Sequence, residues 1–209
     1  MFELLYRIVQ KLGRSFAKLL SQAGTKVKLA GNGVTYGKQH TYKGIPFLKV
    51  DRTASFTIGD SFSCNSGNAN PIGRGSKTYI VVGAGASLTI GNEVGMSNAA
   101  INCYEQIEIG DHVKIGGGVV IYDTDFHSLD YNVRAVRKLD LAQKKTMPVK
   151  IESHVFVGAH STILKGVTIG ARSVIGACSV VTRSIPCDEI WAGNPAKFIR
   201  KVSTDDQGA

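Results

Sequence analysis

Few side chains in this 209-residue chain can exchange a proton near neutrality, since it holds only five histidines. One of them, His127, ends the segment IYDTDFH, with Asp123 and Asp125 just before it. Imidazole is the side chain best matched to accept a proton at physiological pH, and a carboxylate beside it can fix its tautomer. Asp123 and Asp125 are close enough in sequence, but alternation along an extended segment does not aim both at His127. The position also fits a surface histidine at the boundary of a loop. A second polar stretch, NSGNANPIGRGSKTY from Asn65 to Tyr79, contains several asparagines and Arg74. It reads either as a surface loop or as a loop whose amides and guanidinium bind sugar hydroxyls or a phosphate.

The elements that must hold these groups follow from a repeat. Read in sixes from Ile151, the chain gives IESHVF, VGAHST, ILKGVT, IGARSV, IGACSV and VTRSIP, so Ile151, Val157, Ile163, Ile169, Ile175 and Val181 are all branched aliphatics. The next position is small at Gly158, Gly170 and Gly176. A period of six fits neither two-residue alternation nor a helical stripe. It fits a chain that turns a corner every six residues, with three sides closing a coil of about 18 residues and stacked coils burying an aliphatic column. Earlier frames run through Ile58, Ile90, Ile109, Ile115 and Ile121, with a one-residue slip between Cys103 and Glu108 that a corner or bulge must absorb. The register breaks after Phe126, and residues 127–148 form a polar loop excursion rich in Arg and Lys. Excursions of this length from a repeat scaffold are usually functional or disordered.

Residues 1–24 read as an amphipathic helix ending at Gly24, with Phe2, Leu5, Ile8, Leu12, Phe16, Leu19 and Leu20 on one face and Arg7, Lys11, Arg14 and Lys18 on another. Because charged and apolar residues interleave, this is not a secretory signal. It can cap the open end of the solenoid or lie on an anionic membrane. The solenoid spans residues 25–202, and 203–209 read as a mobile tail. Four cysteines without a CxxC pair read as reduced thiols in a cytoplasmic protein. A net charge of +9 favours anionic company. No nucleic-acid-binding motif accompanies it, and no run of 18 apolar residues reads as a membrane span.

These hexads, together with AGNPAK at 192–197, resemble the hexapeptide-repeat acyltransferases. The resemblance implies an all-β fold, a left-handed parallel β-helix, and acetyl-CoA as co-substrate. DTDFH followed by a long loop is similar to the sugar O-acetyltransferase branch, with galactoside and maltose acetyltransferases among its members. By that resemblance His127 is the general base that deprotonates an acceptor hydroxyl, and Asn98, in SNAAI, orients the acceptor. Asp123, Asp125 and Arg74 are acceptor-binding candidates. Backbone N–H groups near Gly158 and Ala159 fall where the family stabilises the thioester oxyanion. Phe156, Ala177, Thr182, Arg183, Asn194, Pro195, Lys197 and Arg200 fall on coenzyme-binding positions, with Phe156 where tryptophan is frequent and Arg183 in place of the usual lysine. The resemblance further implies a homotrimer with sites between subunits and a saccharide acceptor of the capsule, O-antigen or exopolysaccharide kind. N-acetylation of an amino sugar and serine acetylation are rival readings. So are a noncatalytic scaffold and a carbonic-anhydrase-like metal site at His112, His154 and His160. Their hexad places are solvent-facing corners, so no metal site is expected there.

Overall fold

The computed structural model describes residues 2–68 and 76–203. Arg74 and the tail beyond Ser203 lie outside them. The repeat folds as six coils. The first holds β1 (Thr35–Tyr36), β2 (Thr41–Lys43) and β3 (Phe47–Val50). The second holds β4 (Ser55–Ile58), β5 (Ser63–Asn65) and β6 (Tyr79–Val82), and the third β7 (Ser87–Ile90), β8 (Gly95–Ser97) and β9 (Ala100–Cys103). The fourth holds β10 (Gln106–Ile109), β11 (Lys114–Ile115) and β12 (Val120–Tyr122). After the excursion come β13 (Val149–Ile151), β14 (Phe156–Val157) and β15 (Thr162–Ile163), then β16 (Thr168–Ile169), β17 (Val174–Ile175) and β18 (Val180–Val181). Each coil gives one strand to each of three parallel sheets. The first, second and third strands of the coils build the first, second and third sheets. The result is a left-handed parallel β-helix. The chain closes with an antiparallel pair at one end of the second sheet, β19 (Glu189–Ala192) and β20 (Lys197–Lys201).

The six aliphatics read from the repeat all point inward and are buried. Ile151 lies beside Ile169, Val157 beside Ile175 and Ile163 beside Val181, so like stacks on like from coil to coil. Burying each such side chain contributes roughly 1.5–3 kcal/mol. The small residue after each aliphatic has a steric cause. A Cβ on Gly158 would stand 2.5 Å from the backbone nitrogen of Ala177 in the next coil. The one-residue slip is absorbed at Tyr104 and Glu105, the corner between β9 and β10.

The N-terminal helix differs from expectation. α1 (Phe2–Gly31) passes through Gly24 without ending. Gly24 answers to close packing, because a Cβ there would come 2.7 Å from Ile45 Cδ1. The stop comes at Gly33, whose φ of +67 is a left-handed glycine cap, with the Val34 N–H donating to Leu29 O. Only the second half packs on the first coil, burying Ser21, Thr25 and Leu29. There Gly44 N–H donates to Ser21 Oγ and Lys28 Nζ to Pro46 O. Capping the solenoid is thus the role of the helix's C-terminal half.

Candidate active site

The excursion leaves the solenoid at the corner between the third and first sheets. An antiparallel bridge between Thr124 and Thr146 clamps its base, and Asp125 N–H donates to Lys145 O and Met147 N–H to Asp123 O. Two short helices shape it: α2 (Tyr131–Arg134), capped by the Asp130 side chain, and α3 (Arg137–Gln143). Phe126 takes a φ of +62, unusual for a bulky residue, and its ring meets Tyr104 and Tyr122 edge-on. A left-handed residue recurs at the corners of the coils, as at Ser61, Glu93 and His112, and here it comes just before His127.

His127 finds its carboxylate thirteen residues later. Its Nδ1 stands 2.7 Å from Asp140 Oδ2, while Asp140 Oδ1 accepts the Ser128 N–H at 2.6 Å. A carboxylate only accepts, so Nδ1 carries the proton and Nε2 keeps the lone pair. The two side chains differ in exposure, 65% for His127 against 8% for Asp140, so the carboxylate is sheltered while the ring reaches solvent. The hydrogen bond from His127, reinforced by the Ser128 N–H, holds the Asp140 carboxyl below its usual range and therefore ionised. Arg134 ties the turn together by donating to Ser128 O at 2.6 Å. An exposed imidazole with an oriented tautomer is the arrangement of a general base.

The two nearer carboxylates are occupied otherwise. Asp123, expected to bind an acceptor, is fully buried, and its oxygens accept the N–H groups of Tyr104 and Glu105 at 2.8–2.9 Å. It fastens the corner where the frame slips. Asp125 Oδ1 pairs with Lys165 Nζ at 2.6 Å, while its Oδ2 is buried without a hydrogen-bond partner. Lys144 lies 3.6 Å over the centre of the Tyr104 ring, and burial lowers its pKa.

Asn98, Ala159 and Ala177 lie at a different edge, the corner between the second and third sheets. Asn98 sits there at a φ of +47 and only 4% exposed, its amide oxygen accepting Gly67 N–H and its amide nitrogen donating to Gly67 O. It therefore holds the start of the polar loop between β5 and β6. Ala159 and Ala177 follow on the same edge, linked by Cys178 N–H to Ala159 O, and Gly193 continues the column by accepting Val180 N–H. Gly158 departs from its expected role, because its N–H donates to Ile175 O at 2.7 Å and is spent within the sheet. Of the two proposed oxyanion donors this leaves Ala159. Phe156 is exposed on the outer face of the second sheet, and Asn194, Pro195 and Lys197 are exposed at the end of the solenoid. Arg200 donates to Lys201 O. Thr182 and Arg183 lie at the third-to-first corner, with the Arg183 guanidinium 5.9 Å from the Trp191 ring.

His127 and the Ala159 column are thus on opposite edges of the third sheet, separated within one chain by roughly 15 Å of strand and corner. His112 and His154 stack at a third corner, 4.6 Å apart and 12° from parallel, with His112 Nδ1 3.2 Å from Glu93 Oε2. His160 stands at another corner, and no group of three or more potential metal ligands converges among the described residues.

Two family models match the coils. The bacterial transferase hexapeptide (six repeats) matches residues 148–183, and the hexapeptide repeat of succinyl-transferase matches residues 101–123. The chain therefore carries hexapeptide repeats like those of the bacterial transferases over these two stretches. This hexapeptide-repeat protein is 36% identical over 101 residues to the galactoside O-acetyltransferase of Escherichia coli, covering 48% of this chain and 47% of that one. It is 41% identical over 123 residues to a Saccharomyces cerevisiae protein provisionally named an acetyltransferase, covering 58% and 60%. It therefore spans about half the length of the curated relatives it matches. Among solved structures it resembles a hexapeptide-repeat acetyltransferase of Vibrio cholerae complexed with acetyl coenzyme A, at 26% identity and a TM-score of 0.52, covering 91% and 87% of the two chains. It shares the fold of the Bacillus cereus N-acyltransferase AntD at 20% identity and a TM-score of 0.63, covering 85% and 89%.

Proposed function

We propose that the protein is an acetyl-CoA-dependent O-acetyltransferase acting on a saccharide hydroxyl of a capsule, O-antigen or exopolysaccharide unit. The observation that carries this reading is the His127–Asp140 pair, which engages Nδ1 and leaves Nε2 free of the carboxylate on a largely exposed ring. In this mechanism Nε2 takes the proton of the acceptor hydroxyl as its oxygen attacks the thioester carbonyl carbon. The oxyanion forms against the Ala159 N–H, which has no backbone partner among the described residues. The carbon–sulfur bond then breaks, and the imidazolium returns its proton to the leaving thiolate. No acyl-enzyme is required. Asp140 orients His127 and stabilises its charged form.

Arg183, Lys197 and Arg200 are suited to the coenzyme phosphates, with Phe156, Ala177, Thr182, Asn194 and Pro195 along the path. Asn98, whose amide is held by the Gly67 backbone, is the residue assigned to orient the acceptor. The separation of His127 from the Ala159 column supports a homotrimer, in which the excursion of one protomer meets the second-to-third corner of its neighbour. A cytoplasmic location, peripheral at the inner face of the membrane, belongs to the same reading, and α1 is the element that would provide the contact.

Incubation with acetyl-CoA and a panel of neutral sugars, acidic sugars, amino sugars and serine, followed by mass spectrometry, tests the assignment. An acetyl ester on a sugar supports it. Exclusive modification of an amine or of serine, or no transfer to any member, contradicts it.

A further inference from the structure

α1 continues well past the solenoid that holds it. The hydrogen bonds tying it to the first coil begin at Ser21, whereas Arg7, Gln10 and Arg14 bond only to residues four positions earlier in the same helix. In this free half Phe2, Leu5, Val9, Leu12, Phe16 and Leu19 are all exposed, with Phe2 at 86%. At 3.6 residues per turn these six fall on one side of the helix. Arg7, Lys11, Arg14 and Lys18 fall on the other side, in line with the residues Ser21, Thr25 and Leu29 that meet the solenoid. The apolar face is therefore turned away from the body of the protein.

We infer that residues 2–20 of α1 are a membrane-docking lever that lays this apolar face into an anionic bilayer and holds the β-helix above it. This deepens the peripheral location proposed above. Charge complementarity selects the occupant. The segment carries four cations against the single carboxylate of Glu3, which already pairs with Arg7. A helix with an apolar face and a basic polar face is drawn to an anionic bilayer by the attraction of its net positive charge to the headgroups. A second copy of the same helix would bring like charges together. The exposed apolar residues also include Leu4, Tyr6, Ile8 and Leu20, a wider face than a two-helix seam needs.

Sedimentation of the full-length protein with phosphatidylglycerol/phosphatidylcholine vesicles, compared with phosphatidylcholine alone, tests the inference. The wild type is expected to pellet with the anionic vesicles and to bind the neutral ones at least tenfold more weakly. Leu12→Glu/Phe16→Glu is expected to abolish pelleting without changing the oligomeric mass measured by light scattering. Arg7→Gln/Lys11→Gln is expected to weaken binding about fivefold per charge removed, and this pair keeps the test decisive if the glutamates unfold the helix. Acetyl transfer to a soluble acceptor should be unchanged in both variants, so failure of docking and failure of the catalytic reading are distinguishable. A wild type that stays in the supernatant with anionic vesicles overturns the inference. So does equal binding to neutral vesicles, or an apolar-face variant that pellets normally or changes the oligomeric mass.

Discussion

Replacing Asp140 by Asn changes little in shape and reverses the chemistry at His127. Today Asp140 Oδ1 accepts the Ser128 N–H at 2.6 Å and Oδ2 accepts the His127 Nδ1–H at 2.7 Å. An asparagine has one acceptor, and keeping it on Ser128 turns an NH2 toward His127 Nδ1. That nitrogen must then accept, which moves the ring proton to Nε2 and removes the lone pair a base requires. General acid–base catalysis is worth about 10²- to 10⁴-fold. His127 is largely open to water and can rotate away or retautomerise, which places the expected loss in kcat toward the lower part, about 100- to 1,000-fold. The Kd for acetyl-CoA should not move, since Asp140 acts through His127 on the acceptor's proton and makes no contact assigned to the coenzyme. The assay is release of the coenzyme thiol in the presence of an acetylated sugar acceptor, with calorimetric titration of acetyl-CoA as the control. Because both residues act through one imidazole, His127→Ala/Asp140→Asn should be no slower than His127→Ala. A kcat for Asp140→Asn within about threefold of wild type, or full additivity in the double variant, would refute the dyad.

Other consequences follow from the same geometry. Asp123→Ala should cost about 3 kcal/mol of stability in chemical denaturation, since it strands the buried Tyr104 and Glu105 N–H groups; a change below about 0.5 kcal/mol would contradict its corner role. In native protein the exposed Cys187 should react with an alkylating agent while Cys64 and Cys103 resist until unfolding, because burial pushes Cys64 up to about 11 and Cys103 higher still. Mass spectrometry of the alkylated protein counts them. Asp140 has a folded pKa below its unfolded value, so its contribution to loop stability is complete above the ordinary carboxylate value of ~3.9 and is lost as pH falls through the lower folded value. Carbon NMR of the Asp140 carboxyl should show that depressed midpoint in wild type and an upward shift in His127→Ala.

The scaffold was legible because the hexad imposes a physical rule at every coil. One aliphatic must enter the column and one small residue must admit the backbone of the next coil, as Val157 and Gly158 illustrate. His127 was legible because it stands where that rule stops. Its partner was not, because Asp140 meets it only after two short helices fold the excursion back, and no periodicity marks a lone acid in RKLDLAQ. An acidic residue within an otherwise basic segment was the available signal. Asp123 looked functional by proximity to His127, yet the displaced frame at Tyr104 gave it backbone donors to satisfy. Gly24 resembled a helix stop, since sequence does not reveal that Ile45 packs against it.

The most direct test of the account is the rate of acetyl transfer by His127→Ala, measured with the best sugar acceptor by mass of the product and by thiol release. The account predicts a fall on the order of 10²- to 10⁴-fold with acetyl-CoA affinity and thermal stability unchanged. Transfer at the wild-type rate would contradict it and move the chemistry away from the edge where the repeat breaks.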